Sequence, residues 1–359
     1  MALVATGISI SSLSASAGQF TDMVTFGDSL SDTGNVLTLS TFLSNFNPPL
    51  IDGLKPYPLQ PPYKLGRFSN GNLWVETLAN QIDLPESSFP AGFTLGPVFG
   101  NAVVPGFGGS NYAIAGAMTG TGGTYGNFIP TGLAVQTDLY LNQHSGNANP
   151  TVLYLVVGGG NDVRMASAQP NKILRDAMLN GAVRDYRDVV AKLVAAGART
   201  IVVANVPDFG KSPESRVLRN NTDIASDATR VFNKFADRAL DRLAGHKDVT
   251  LARIDLFGLG NAIIEDATHN RGRRFGVTNV DTPCLDVSVE FPDVVIPGAG
   301  TVSCDISLYS DDHHPTAKVH AIIGEVAAAC ELEHGETIVG ATSQESERMD
   351  LGKFCRVSH

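Results

Sequence analysis

The sequence predicts an α/β protein, a three-layer sandwich in which a parallel five-stranded sheet carries helices on both faces. Three observations lead there. Short, continuously apolar runs at 23–26, 151–157, 200–206 and 249–254 have the composition of strands buried on both faces, as parallel strands are. Longer segments with apolar residues near helical spacing lie between them, so strand and helix alternate. Three of these runs stop on turn-forming residues, Gly27-Asp28-Ser29, Gly158-Gly159-Gly160 and Pro207-Asp208. The 359 residues, 43% hydrophobic and 17% charged, suffice for a core and exclude wholesale disorder. Length alone allows either one large domain or two small ones.

The elements follow in chain order. The run 23–26 is the first strand. Ser31 and Asp32 then offer caps for a helix through about residue 44. Residues 45–66, with Pro48-Pro49 and Pro61-Pro62, are loop. A helix is expected over 72–81. A Gly/Pro loop carrying Phe89, Phe93, Phe99 and Phe107 spans 84–109, and a second strand spans 111–115. A Gly/Thr loop fills 116–132, and a helix covers 134–144. After the strand at 151–157, residues 171–196 are helical, with Leu174, Met178, Val183, Val190 and Leu193 as the apolar side. Beyond the strand at 200–206 comes a helix over 223–244, with Val231, Phe235, Leu240 and Leu243 on one side. The strand at 249–254 leads into a helix to about 268. Residues 270–310 are loop-rich, and 316–332 form the final helix. No internal repeat interrupts this order.

Charge and cysteines bound the setting. Lys and Arg number 26 and Asp and Glu 36, a net charge of −10. That balance argues against a nucleic-acid-binding face and against a polybasic membrane anchor. Residues 1–20 hold a mildly apolar stretch followed by Ala15-Ser16-Ala17, the small-x-small form of a signal-peptidase site. They read as a secretory signal peptide that lacks a basic start, with a disordered Ser/Ala leader as the other reading. Export permits disulfides. Cys284 and Cys304 bracket a loop that a bridge would pin, and Cys330 with Cys355 is a second pair. No Cys-x-x-Cys suggests zinc. The chain divides into a leader (1–20), a catalytic domain (21–333) and a C-terminal extension (334–359). For that extension three readings stay open: a flexible tail, a strap tethered through Cys355, or a gene-end artefact.

In open α/β sheets, sites lie beyond the carboxyl ends of the strands. That rule selects Ser29, Gly116, Asn161, Asp208 and the cluster 311–314. Phe26-Gly27-Asp28-Ser29-Leu30-Ser31-Asp32-Thr33-Gly34-Asn35 places a serine on the turn after the first strand, at a helix start that favours a developing anion. An isolated Gly-x-Ser there reads as a helix cap. The ten-residue run is more specific and resembles the first block of the GDSL, or SGNH, family of serine hydrolases. Arg67-Phe68-Ser69-Asn70-Gly71-Asn72-Leu73-Trp74-Val75-Glu76 resembles the segment after that family's first Pro-rich loop. Asn111-Tyr112-Ala113-Ile114-Ala115-Gly116-Ala117 resembles the second block, Gly159-Gly160-Asn161-Asp162 the third, and Asp311-Asp312-His313-His314-Pro315-Thr316 the last. The blocks stand in family order across residues 26–316. They are most similar to the long secreted members, the plant-type lipases and the bacterial lecithinase/hemolysin-like esterases.

The resemblance implies an SGNH fold with a flavodoxin-like sheet and ester hydrolysis through an acyl-enzyme on Ser29. His314 is the implied base and Asp311 its orienting acid. The N–H groups of Ser29 and Gly116 and the Asn161 amide are the implied oxyanion hole. No cofactor and no metal are implied, although Asp311, Asp312, His313 and His314 include metal-ligating types. Asp312 and His313 are neighbours to be set aside, His320 a structural residue of the last helix, Trp74 and Phe68 packing residues, and Asp28 a support of the turn. The α/β-hydrolase elbow Gly-x-Ser-x-Gly is absent, since Ser31 stands at its second glycine. Neither Gly-x-Gly-x-x-Gly nor a P-loop occurs. The expected partner is a small-molecule or lipid ester, with transient contact to a lipid surface and a monomeric enzyme. The loops at 45–65 and 84–109 are either an acyl-binding rim or packing over the sheet edge. An acyltransferase or phospholipase using the same residues, a carbohydrate O-deacetylase and a catalytically silent binding module are the alternatives.

Overall fold

The computed structural model describes residues 20–46, 53–96, 101–123, 129–243, 248–332 and 350–358. The leader at 1–19, Pro48-Pro49, Phe99 and the tail stretch 333–349 lie outside the described residues. In chain order the regular elements are β1 (Asp22–Gly27), α1 (Asn35–Ser44), α2 (Trp74–Gln81), β2 (Gly92–Thr94), β3 (Val103–Pro105), α3 (Leu133–Gln143), β4 (Val152–Val157), α4 (Gly160–Ser167), α5 (Lys172–Ala196), β5 (Thr200–Ala204), α6 (Thr222–Asp241), β6 (Thr250–Ile254), α7 (Leu256–Asn270), α8 (Ala317–Leu332) and β7 (Cys355–Ser358).

The main sheet has the order β1-β4-β5-β6-β7. The first four strands are parallel, in register from Asp22↔Val152 to Gly27↔Val157 between β1 and β4. Side chains alternate across it. Leu153, Leu155 and Val157 enter a core shared with α2, α7 and α8. Val152, Tyr154 and Val156 enter the opposite core, shared with α3, α4, α5 and α6. That two-residue alternation is why β4 had to be apolar throughout. A third cluster joins α1, the β2–β3 hairpin and part of the Pro-rich loop.

Two details differ from expectation. Residues 111–115 do line the outer edge of β1, with Thr25 N–H donating to the Ser110 carbonyl at 3.1 Å and Tyr112 N–H to that of Thr25 at 2.8 Å. They do not form a strand. The Asn111 side chain accepts from Ala113 N–H at 2.9 Å, and Asn35 takes the Asn111 and Ala113 carbonyls. These bonds hold the side of the segment that faces away from β1, and on the β1 side the ladder lapses because Gly27 N–H donates to the Gln136 side chain at 2.8 Å. The fifth strand is instead β7, antiparallel to β6 from Leu251↔Ser358 to Ile254↔Cys355. The described end of the tail is therefore an edge strand. It is tethered by Cys330–Cys355, while Cys284–Cys304 closes the other loop.

Three large apolar residues lie off the expected helix faces. Leu174 and Met178 lie exposed on the first turns of α5, and the buried side runs through Leu179, Ala182, Val183, Tyr186, Val190 and Leu193. On α6 Phe235 is exposed, and the packed stripe is Ala225, Ala228, Phe232, Ala236, Ala239 and Leu240. Leu240 is buried as expected and Val231 and Leu243 pack at the edge of that core, so only Phe235 departs from the expected side, and the alanines let α6 approach its neighbours closely. No described helix is long and apolar enough to cross a membrane.

Candidate active site

β1 ends at Gly27, where an added Cβ would stand 3.0 Å from the Val157 carbonyl and 3.1 Å from Ser31. Glycine lets the strand turn that close to β4 without crowding the Val157 carbonyl. The Asp28 carbonyl accepts from Ser31 and Asp32 N–H, and its carboxylate accepts from Leu30 N–H at 3.1 Å. Asp28 thus supports the turn, as expected. Ser29 sits on it, 8% exposed.

At the start of α8, His314 meets that serine. Its Nε2 lies 2.8 Å from Ser29 Oγ and its Nδ1 lies 2.7 Å from Asp311 Oδ2. The other Asp311 oxygen accepts from the N–H of His313 at 3.0 Å and of His314 at 2.7 Å. This local turn folds the acid back onto the imidazole three residues later. Sequence reasoning missed Tyr63, whose hydroxyl donates to Asp311 Oδ2 at 2.5 Å. A single tyrosine in a Pro-rich loop carries no signal for that. Phe68, expected to pack, does so against the His314 ring, centroids 5.1 Å apart.

The electrostatics follow from burial and partners. Burial favours the neutral form of Asp311, but the charge and hydrogen bond of His314, the charge of His313 and the Tyr63 hydroxyl outweigh it. The carboxyl is held well below the usual range. Burial, helped by the charge on His313, holds His314 below its ordinary value against the pull of Asp311. A neutral imidazole facing a hydroxyl is the state a general base needs. Burial also opposes charge on His313, yet Asp312, Asp311 and Glu214 outweigh it and push it up to about 9. His313 Nδ1 lies 3.0 Å from Asp312 and 3.3 Å from Glu214, which in turn binds Arg164 and Arg219. The two neighbours set aside in the sequence thus belong to an ion-pair network beside His314. His320 is fully buried, accepts from Trp74 N–H at 3.3 Å, and is pushed down to about 3 by burial and by His314.

The remaining candidates lie on two stitched loops. Asp32 accepts from Gly34, Asn35 and Val36 N–H, capping α1, and from Ala115 N–H at 2.8 Å. One carboxylate therefore binds the serine loop to the residue before Gly116. Gly116 turns with φ of 78°, a left-handed geometry that glycine adopts without penalty. Asn161 stands in the first turn of α4, a helix not anticipated, just after Gly159 at φ 101°. Its side-chain amide donates to the Ala117 carbonyl at 3.0 Å, next to Gly116. Asp162 accepts from both the N–H and the hydroxyl of Thr119. Gly116 and Asn161 are thus brought together by adjacent hydrogen bonds. Asp208 is not part of this cluster; it caps a short turn through Gly210 N–H and Ser226.

Asp311, Asp312, His313 and His314 offer ligand atoms within 4.8 Å of one another. Each imidazole already faces a carboxylate, so the cluster reads as two acid–histidine pairs.

Comparison with known proteins agrees with the sequence blocks. A family model described as GDSL-like Lipase/Acylhydrolase matches residues 23–327. A phosphatidylcholine-sterol acyltransferase from Aeromonas hydrophila is 27% identical over 86% of this chain and 89% of its own. A GDSL esterase/lipase from Arabidopsis thaliana is 26% identical over 84% of each chain. Among solved structures, an acetylxylan esterase from Geobacillus stearothermophilus is matched with a TM-score of 0.36 and 13% identity, over 91% of this chain and 98% of that one.

Proposed function

This chain belongs to the GDSL-like lipase/acylhydrolase family, a family of ester-cleaving enzymes, and we propose that Ser29, His314 and Asp311 carry out that chemistry here. Ser29 Oγ attacks the ester carbonyl while His314 Nε2 takes its proton. The tetrahedral oxyanion is stabilised by the N–H groups of Ser29 and Gly116 and by the Asn161 amide. His314 then protonates the leaving alcohol oxygen, and an acyl-enzyme remains on Ser29. Water, deprotonated by the same imidazole, attacks the acyl carbon and releases the carboxylic acid. Asp311 holds the Nδ1–H tautomer and stabilises the imidazolium. Losing one oxyanion donor costs about 10²–10³ in rate. No step calls for a cofactor.

The observation that carries this reading is the 2.8 Å approach of His314 Nε2 to Ser29 Oγ across 285 positions. Ser29→Ala is expected to abolish cleavage of p-nitrophenyl esters while leaving the circular dichroism spectrum intact. Unchanged turnover in that variant overturns the assignment.

A second reading is acyl transfer to an alcohol, favoured by the likeness to a phosphatidylcholine-sterol acyltransferase. Only the acceptor differs. Product analysis with an added alcohol separates the two, since a transferase yields the new ester and a hydrolase the free acid. Export fits the two disulfides, which persist in oxidising compartments. Contact with a lipid surface and a monomeric state complete the proposal.

A further inference from the structure

An apolar cleft opens beside Ser29, Asn161 and His314 and passes between α7 and α8. Leu259 and Ile263 of α7, Val319 and Ile323 of α8, and Leu308 form its walls. The loops at 45–65 and 84–109, the expected acyl-binding rim, contribute no described residue to it. From Leu256 to Ile263 the α7 wall is about 10 Å long at 1.5 Å per residue, room for a chain of several methylenes.

Gly260 also lines the cleft, in the interior of α7. Glycine weakens a helix interior relative to alanine. At Gly258, two residues earlier, packing explains it: an added Cβ would stand 2.2 Å from the Asp255 carboxylate that caps the helix. At Gly260 an added Cβ would meet nothing within 4 Å. Packing gives no reason for the missing side chain there, and space in the cleft does.

We propose that this cleft binds an aliphatic chain of the ester substrate and that Gly260 keeps it open. The proposal rests on Ser29 being the nucleophile. Apolar walls that receive a chain favour each added methylene by about fourfold. A chain seated here has its ester end at Ser29 and its tail among Leu259, Ile263 and Ile323. Both halves of an ester can carry such a chain, so the substrate series has two arms.

The test measures kcat/KM for p-nitrophenyl acetate, butyrate and octanoate, and for ethyl, butyl and octyl acetate. The expected result is a rise of about a hundredfold or more along one arm, which identifies the half of the ester in the cleft. Gly260→Leu is expected to reduce that rise by about tenfold, and Gly260→Ala by less. Flat profiles on both arms, with turnover still dependent on Ser29, overturn the cleft assignment. So does a rise that both Gly260 variants leave unchanged. Turnover that survives Ser29→Ala is a separate failure, that of the nucleophile.

Discussion

The Tyr63 hydroxyl and the His314 ring converge on one oxygen, Asp311 Oδ2, at 2.5 and 2.7 Å. With two backbone N–H groups on the other oxygen, the buried carboxylate accepts four hydrogen bonds. An acid so well solvated by protein dipoles is a weaker proton acceptor than one bound by the imidazole alone. The Pro-rich loop therefore reaches into the proposed triad through a single side chain.

Removing that hydroxyl concentrates the Asp311 charge on His314. Tyr63→Phe is expected to raise the His314 pKa and move the acid limb of the pH profile of kcat/KM upward. A hydrogen bond to a charged group is worth about 1.5–3 kcal/mol, so kcat/KM at neutral pH should fall about tenfold. An unmoved acid limb contradicts the role given to Tyr63.

His313 links the site to stability. Its pKa rises from an ordinary 6.5 to about 9, because Asp312, Asp311 and Glu214 outweigh the cost of burial. A raised folded-state pKa stabilises fully below the unfolded value and loses that contribution as pH climbs through the folded one. Stability should therefore decline between pH 6.5 and 9. Urea denaturation at several pH values should show the decline in the wild type and a flatter curve in His313→Gln. The same variant removes a positive charge beside His314, so its acid limb should also shift upward.

Asp28 acts in a lower window. Burial, reinforced by the charge of Asp162, raises it from 3.8 to about 7 against the Leu30 N–H bond and His313. The raised pKa again means stability present below about pH 4 and lost as pH rises through 7. Asp28→Asn keeps the acceptor for Leu30 and removes the ionisation. It should melt above the wild type at pH 8, with the difference vanishing near pH 4. Equal melting temperatures at pH 8 would count against a buried, ionising Asp28.

The Cys330–Cys355 bridge closes a loop with a sequence separation of 25 and ties β7 to α8. Chain-entropy reasoning gives such a loop about 3 kcal/mol. The double variant Cys330→Ser, Cys355→Ser should lose roughly that much by chemical denaturation. Amide exchange in β6, whose outer edge β7 covers, should accelerate. A denaturation midpoint equal to that of the wild type would show that β7 holds without the tether.

Legibility depended on how local each signal was. The serine turn was readable because strand, turn and cap lie within Phe26 to Asn35, and the acid–histidine pair because Asp311 and His314 share one turn. Asn161 was legible as the residue after a buried strand, although its helix was not. On α5 and α6 only Leu174, Met178 and Phe235 stand off the expected apolar sides, and the alanines of the packed stripe went unread because alanine carries little hydrophobic contrast. The edge at Asn111 was misread because the Gln136 side chain, 109 positions from Gly27, takes the Gly27 N–H that a ladder would use.

By itself the sequence determined the α/β class, the four parallel strands, the family and the identity of the five candidate site residues. Each rests on a short-range pattern that survives any arrangement of the rest. Tertiary structure alone decided that β7 closes the sheet antiparallel, that Tyr63 reaches Asp311 across 248 positions, and that the apolar cleft lies between α7 and α8. These depend on which distant segments share a surface, and no local spacing of residues encodes that.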